Sequence, residues 1–310
     1  MHDQLHRFIF LGQAGDERSA PVRGELVQLD ETWQALLQRS AYPPVVAELL
    51  GEAAVAAVLL AATLKIDGKL TLQIMSETPA REQEKSAEAK LAVHLLVMQV
   101  TSSRELRGLA RWHGGALAEG VRGLQLLQGG RLVMSIETAR GERYQGIVPL
   151  EGENLAQALQ GYFERSEQLS TRLWLEANEH HAAGLLVQKM PQHDHASDEE
   201  DWNRIQALAD TVTRDELLEL PAETLLHRLF HEEDRRVYRP EDVRFACSCS
   251  RERVGEMLRG LGSAEVESIL AEHEAIEVDC EFCNAHYVFD AVDAAALFVQ
   301  LPHSSAQGLH

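Results

Sequence analysis

Four thiols in two tight pairs are the chemistry this sequence carries most plainly. All four cysteines of the 310-residue chain lie in its last 64 residues, as Cys247-Ser248-Cys249 and Cys280-Glu281-Phe282-Cys283, with 30 residues between the pairs. Four sulfurs grouped two and two match the donor count of a closed tetrahedral zinc site. Two disulfides of a secreted protein would use the same cysteines. The first residues lack the basic n-region and apolar h-region of a secretory signal, which argues against that context. A closed four-cysteine set leaves no open position for water or substrate. The chain also has no P-loop, no Gly-x-Ser-x-Gly and no His-Glu-x-x-His, so the expectation is a protein that is not an enzyme.

The first pair is the unusual one. A Cys-x-Cys pair on a regular strand sends both side chains to one face but about 7 Å apart, so the chain must bend at Ser248 for both sulfurs to meet one ion. Two thiols so close can also bond to each other once the metal is gone. The spacing therefore allows a structural zinc site, or a redox switch whose resting state holds zinc. Four histidines lie in candidate turns, His180 with His181 and His193 with His195. They read as solvated loop residues rather than further ligands.

With 45% apolar and 25% charged residues, the chain has the balance of a soluble globular protein long enough for two domains. Its net charge of −20 is uneven. Residues 1–193 carry 23 acids against 19 Lys and Arg, whereas residues 194–310 carry 26 acids against 10 Arg. A zinc module in so acidic a segment is a poor phosphate binder. That weighs against nucleic acid as a partner and leaves a structural zinc-ribbon adaptor, or a nucleic-acid-binding protein, as the alternative function. The richest apolar stretch, Val45 to Leu64, contains Glu48 and Glu52 and reads as a buried helix rather than a membrane span.

The elements that must position the thiols follow from periodicity. Val22 to Leu29 reads as a strand, and Asp30 as the N-cap of a helix through Gln38. Tyr42-Pro43-Pro44 breaks that helix before the apolar one, which runs to about Leu64. Asp67-Gly68 is a turn before the alternating Leu70, Leu72 and Ile74. Leu132, Met134 and Ile136, then Gly141, then Tyr144 to Leu150 read as an antiparallel hairpin. Asn154 caps a helix to about Ser166, and Thr171 to Ala177 and Gly184 to Met190 read as strands. Residues 79–92 read as a charged surface excursion, and Pro191 to Asp201 as an acidic linker loop. Beyond it, Trp202, Ile205, Leu208 and Val212, and then Leu225, Leu226, Leu229 and Phe230, fall at helical spacing around Pro221. These stripes must pack on something, permanently or conditionally.

The expected fold class is α+β. A mixed α/β domain covers residues 1–192, a helical linker 193–244, a small cysteine-bearing domain 245–301 and a tail 302–310. In the small domain, Arg251 to Leu261 reads as a helix stopped at Gly262, and Ser263 begins a second to about His273. Leu258, Leu261, Val266, Ile269 and Leu270 are its candidate core. So few residues rarely hold a domain together without a staple. Zinc bound to thiolates contributes on the order of 10–16 kcal/mol of apparent folding energy in comparable small sites.

The string Cys247-Ser248-Cys249-Ser250-Arg251-Glu252-Arg253, followed after the helical insert by Glu281-Phe282-Cys283-Asn284, resembles the 33 kDa heat-shock protein family of redox-regulated holdase chaperones. Arg23-Gly24-Glu25-Leu26, Ala61-Ala62-Thr63-Leu64-Lys65, Arg143-Tyr144-Gln145-Gly146, the Tyr162-Phe163 to Gln168-Leu169 segment and Leu220-Pro221-Ala222-Glu223 extend the likeness over nearly the whole chain. Two places depart from it. Ser76-Glu77-Thr78-Pro79 and the charged insert stand where the family has a Gly-rich turn, and Ser170 stands where it has proline. The resemblance implies one zinc per chain on Cys247, Cys249, Cys280 and Cys283 in an inactive reduced state. It implies oxidation by hypochlorite, or by peroxide with heat, to two disulfides. Sequence proximity favours Cys247–Cys249 with Cys280–Cys283 among the three possible pairings. It further implies unfolding of the switch and linker, ATP-independent binding of unfolding client proteins by exposed apolar surface, homodimers on activation, and a cytoplasmic setting.

Overall fold

The computed structural model describes residues 3–11, 21–64, 67–76, 91–114, 121–127, 129–190 and 196–298. The expectations for the charged insert up to residue 90, for His193 and His195, and for the tail lie outside the described residues. The chain divides into two compact units, Met1–Ala246 and Cys247–His310.

The first unit contains β1 (Gln4–Phe10), β2 (Val22–Leu29), α1 (Glu31–Leu37), α2 (Pro44–Thr63), β3 (Gly68–Met75), β4 (Ala92–Thr101) and β5 (Glu105–His113). It continues with β6 (Arg131–Thr138), β7 (Arg143–Pro149), α3 (Leu155–Tyr162), β8 (Thr171–Ala177) and β9 (Ala182–Lys189). Three further helices, α4 (Ala196–Ala209), α5 (Arg214–Glu219) and α6 (Ala222–Phe230), lead to three short strands, β10 (Arg235–Val237), β11 (Glu241–Asp242) and β12 (Arg244–Phe245).

Two sheets result. One has the order β10-β1-β2-β9-β8, with β11 also on β1; the other has the order β12-β5-β4-β3-β6-β7. Every pairing is antiparallel except β12 with β5. The expected hairpin is β6–β7, with Met134 opposite Gly146. Residues 235–245 pair with β1 of one sheet and β5 of the other, so one short segment covers an open edge of each.

Helix α2 packs between the sheets, against β2, β8 and β9 on one side and β3, β4 and β5 on the other. A helix apolar all round needs cover all round. From Ala53 to Ala62 every residue is buried. By length and composition α2 would qualify as a membrane span, with a mean hydropathy of 2.1, yet 78% of it is buried inside the protein. The close approach shows at Gly51, where an added Cβ would lie 2.4 Å from the Ala177 Cβ.

Asp30 precedes α1 but does not cap it with its side chain. The capping acceptor is Asp3, whose carboxylate takes the Asp30 N–H at 2.7 Å and the Thr32 N–H at 3.1 and 3.2 Å. Pairing of β1 with β2 brings Asp3 beside that end. Asn154 behaves as expected, with its side-chain oxygen accepting from Gln157 N at 2.9 Å. The acidic stretch before Trp202 is helical from Ala196 rather than loop. Acids suit a helix N-terminus, and here Glu199 pairs with Lys189 at 2.5 Å and Asp201 with Arg204 at 2.6 Å.

The second unit comprises α7 (Arg251–Leu261), α8 (Ser263–Glu272), the hairpin β13 (Ile276–Asp279) with β14 (His286–Phe289), and α9 (Ala291–Phe298). Gly262 ends α7 in the left-handed region at φ 91°. Leu258, Val266, Ile276, Phe289 and Ala294 form the buried core, with Ile269 and Leu270 packed against it. Leu261, expected in that core, is 51% exposed. It is the last residue of α7, one turn beyond Leu258, where the chain turns away at Gly262.

Two buried acids give the first unit a pH signature. Glu52, on α2, opens onto a cavity of about 640 Å³ that Glu48, Glu176 and Arg214 also line. Burial, then the neighbouring Glu176 and Glu48 carboxylates, push Glu52 up to about 8. Burial pushes Glu25 up to about 7, against a 2.8 Å hydrogen bond from the Thr63 hydroxyl and three nearby arginines. An unfolded glutamate titrates near 4.3. The folded chain therefore holds these protons more tightly. That stability is complete below about pH 4.3 and is lost as the pH rises through the folded values. Glu52→Gln is expected to be more stable than the parent at pH 8.5 by on the order of 4–5 kcal/mol, with the difference reduced to about 1 kcal/mol at pH 5. Thermal melts at the two pH values check this; equal shifts at both would contradict it.

Candidate metal centre

Cys247 and Cys249 lie in irregular backbone just before α7, not on a strand, so the two sulfurs are not held a strand's two-residue rise apart and can converge. Ser250 closes the segment by capping α7, its hydroxyl accepting from Arg253 N at 3.3 Å, and Arg253 reaches back to the Ser248 carbonyl. Cys280 follows β13 directly, and the turn after it is tight. Cys280 N donates to the Ala285 carbonyl at 2.9 Å, Asn284 N donates to the Cys280 carbonyl at 2.7 Å, and Asn284 sits at φ 57°. Arg251 ties the start of α7 to the hairpin: it donates to the Val288 carbonyl at 2.7 Å, pairs with Asp293 at 2.6 Å and lies over the Phe289 ring.

These supports bring all four sulfurs within 4.8 Å of one another. Cys247 Sγ is 3.6 Å from Cys280 Sγ, and Cys249 Sγ is 3.2 Å from Cys283 Sγ. A tetrahedron of thiolates at about 2.3 Å from one ion has edges of about 3.8 Å. The sulfurs bracket that spacing, and the donor set is all thiol, so the residues fit zinc. All four cysteines are in the thiol form and half-buried. Burial, then the neighbouring thiols, push the Cys283 thiol up; burial does the same for Cys280 against backbone N–H groups that favour its thiolate. A cation that binds here must displace protons.

The candidate apolar residues gather at a second place, within the first unit. The sheet containing β1 is apolar on both faces. One faces α2; the other presents Phe8, Phe10, Val22, Leu26, Ala183, Leu185 and Val187. On that outer face lie Trp202, Ile205, Leu225, Leu226, Leu229 and Phe230, all buried, with Leu208 and Val212 partly buried against them. Phe230 sits edge-on to Phe10 at 4.9 Å between centroids. The histidine pair His180 and His181 lies in the β8–β9 turn of the first unit.

Several supporting residues carry no motif that periodicity reveals. Gln28 on β2 donates from the sheet to the Leu217 and Leu220 carbonyls at 3.2 and 2.8 Å, closing the end of α5. Arg214 at the start of α5 donates to the Ala177 carbonyl and reaches Glu48 at 3.3 Å and Glu176 at 3.5 Å. Gly24 leaves room for the Phe8 ring, which an added Cβ would meet at 2.2 Å. Tyr287 on β14 donates its hydroxyl to Cys249 Sγ at 3.2 Å.

Comparison with known proteins places this geometry. The family model described as "Hsp33 protein" matches residues 3–290. The 33 kDa chaperonin of Nitrosococcus oceani is 50% identical over 303 residues, covering 96% of this chain and 95% of that protein. The 33 kDa chaperonin of Pseudomonas paraeruginosa is 45% identical over 300 residues, covering 96% and 94%. The crystal structure of the 33 kDa chaperonin from Thermotoga maritima superposes with a TM-score of 0.77 at 22% identity, covering 96% of this chain and 98% of that one. With a family model spanning most of its length and relatives this similar end to end, the chain belongs to the Hsp33 protein family.

Proposed function

We propose that this chain is an ATP-independent holdase chaperone that oxidation switches on. The observation that carries the reading is the gathering of four sulfurs within 4.8 Å beside a core of only five buried apolar residues. Zinc held by Cys247, Cys249, Cys280 and Cys283 supplies a four-way crosslink and keeps the sulfurs as thiolates at neutral pH. Thiolates are the nucleophiles toward oxidants. A sulfenic acid formed on one cysteine meets a resolving thiol two or three residues away. Disulfides Cys247–Cys249 and Cys280–Cys283 would close loops too short to replace the crosslink, so the small unit unfolds.

The face covered by α4, α5 and α6 is the surface this reading assigns to unfolding client proteins. Residues 231–246 connect these helices to Cys247, so loss of order at the cysteines frees the far end of the segment that covers the face. The acidity of residues 194–310 favours the expanded state and keeps it dispersed. Homodimers on activation and a cytoplasmic setting belong to the same reading.

The direct test is light scattering of a heat-denatured client with zinc-loaded protein, before and after oxidant. Suppression of aggregation only after oxidation is expected; suppression that oxidation abolishes would mark a structural zinc module instead. Hydrogen exchange gives a second test, with amides of residues 202–230 protected in the reduced protein and exposed after oxidation. Equal protection in both states would remove these helices from the mechanism. Cys280→Ser provides a third. Three remaining thiolates bind zinc more weakly, and the small unit loses most of its staple. This variant is expected to suppress aggregation partly under reducing conditions. No suppression, with the unit shown unfolded by circular dichroism, would mean that the disulfides themselves are required.

A further inference from the structure

Strand β14 alternates: His286 and Val288 are exposed, Tyr287 is half-buried and Phe289 is buried in the small core. Tyr287 stands opposite Val278 in the hairpin, on the side that packs against that core. Its hydroxyl donates to Cys249 Sγ at 3.2 Å, from 38 residues along the chain. The other half of the centre takes donors from its own turn. Cys280 is favoured as thiolate by the backbone N–H groups of Phe282 and Cys283, and Cys283 by that of Ala285. Backbone donors persist through any substitution but proline. The donor to Cys249 sits on a side chain that can be changed by one oxygen atom.

We propose that Tyr287 is a brake on the thiol centre: by donating to Cys249 Sγ it slows reaction of that sulfur with oxidant. The inference rests on the reading of the four cysteines as a zinc centre opened by oxidation. In that centre every sulfur is a thiolate and can only accept hydrogen bonds. A sulfur that accepts one shares its charge with the donor, and the engaged lone pair is less available for attack. The reaction being slowed is a two-electron oxidation by a peroxide. The thiolate attacks one peroxide oxygen, the O–O bond breaks, an S–OH bond forms and hydroxide leaves. A second thiolate attacks the oxidised sulfur, an S–S bond forms and a second hydroxide leaves. Sulfur supplies both electrons, and the peroxide takes them.

The test uses the full chain, zinc-loaded and reduced, with hydrogen peroxide as probe and a chromogenic chelator reporting released zinc. Tyr287→Phe keeps the ring and removes the donor. It is expected to raise the rate constant of peroxide-driven zinc release about three- to tenfold, within the range of the net contribution of one ordinary hydrogen bond. In cobalt-substituted protein the sulfur-to-metal charge-transfer band is expected to shift in Tyr287→Phe. Val278→Ala serves as the control for packing, because it loosens the neighbour of the ring and leaves the hydroxyl in place. Faster release in Tyr287→Phe alone, with the band shift, supports the proposal. An unchanged rate in Tyr287→Phe overturns it, and so does equal acceleration in Val278→Ala, which would assign the effect to packing. A parent protein that binds no zinc, or keeps its zinc under peroxide, would overturn the zinc-switch reading itself and this proposal with it.

Discussion

A sheet that is apolar on both faces must be covered twice, and much of this protein follows from that. Leu5, Val27, Leu29 and Leu186 turn one way toward α2, and Phe8, Phe10, Leu26 and Leu185 turn the other. The first cover is permanent by construction, because α2 is apolar all round and packs against a sheet on each side. The second is made of three short amphipathic helices, none longer than the 14 residues of α4. Helices of that length are marginal alone in water and hold their shape through what they lie on. Their docking is reinforced by polar contacts at the rim: Gln28 on the α5 carbonyls, Arg214 on Glu48 and Glu176, and Arg204 on Glu233 at 2.8 Å. Exposed or half-exposed ion pairs of this kind contribute little each. Burial of the six stripe residues carries most of the attachment.

The parts of the fold legible in the sequence are those where one local rule dominates. The thiol pairs, the apolar α2, the β6–β7 hairpin with its glycine turn, the Asn154 cap and the Gly262 stop each depend on residues within a few positions. Strands β1, β4 and β5 were not anticipated. In β1 the alternation of Leu5, Phe8 and Phe10 is interrupted by a buried His6, because β1 is covered on both sides. In β4, Leu95, Leu96, Val97 and Met98 run without a break, so no period of two stands out. Adjacency in sequence points to Asp30 as the cap of α1, whereas Asp3 reaches the position through the β1–β2 pairing. The stripes at Trp202 and Leu225 were legible as amphipathic helices, but their partner face was not, since half of it lies in β1. Tyr287 was invisible for the same reason: nothing in a hairpin sequence says which sulfur its hydroxyl will meet.

Electrostatics divides the chain along the same line. The last 117 residues hold 26 acids against 10 arginines. Arg204, Arg214, Arg228, Arg244 and Arg251 each reach a carboxylate in the folded state. Three of these pairs tie helices α4 to α6 to one another, to the sheet or to Glu233. On the proposed release of the helices from the sheet, those pairings would open to water and the excess negative charge would be felt along an extended chain. Folding hides the imbalance; the proposed release would use it to keep the segment apart from its former face.

How the sulfurs pair decides what oxidation does to the small unit. All four lie within 4.8 Å, so the reduced geometry permits pairing within each motif or across motifs. A cross-link between Cys247 and Cys280, or between Cys249 and Cys283, would close a loop of about 34 residues and remove about 4 kcal/mol of entropy from the unfolded chain. It would preserve the connection that holds α7 to the hairpin. Pairing within each motif closes loops of three or four residues, constrains the unfolded chain by only about 2 kcal/mol per bond and joins nothing across the unit. The same two-electron chemistry thus either fastens the unit or undoes it. The proposed switch, unfolding on oxidation, would need the second outcome, and the short spacings favour it: in a loosened unit the sulfur two or three residues away would stay near, while the sulfur across the unit would drift off. The Cys-x-Cys spacing that looks awkward for binding an ion is the spacing that keeps its partner when the fold is gone.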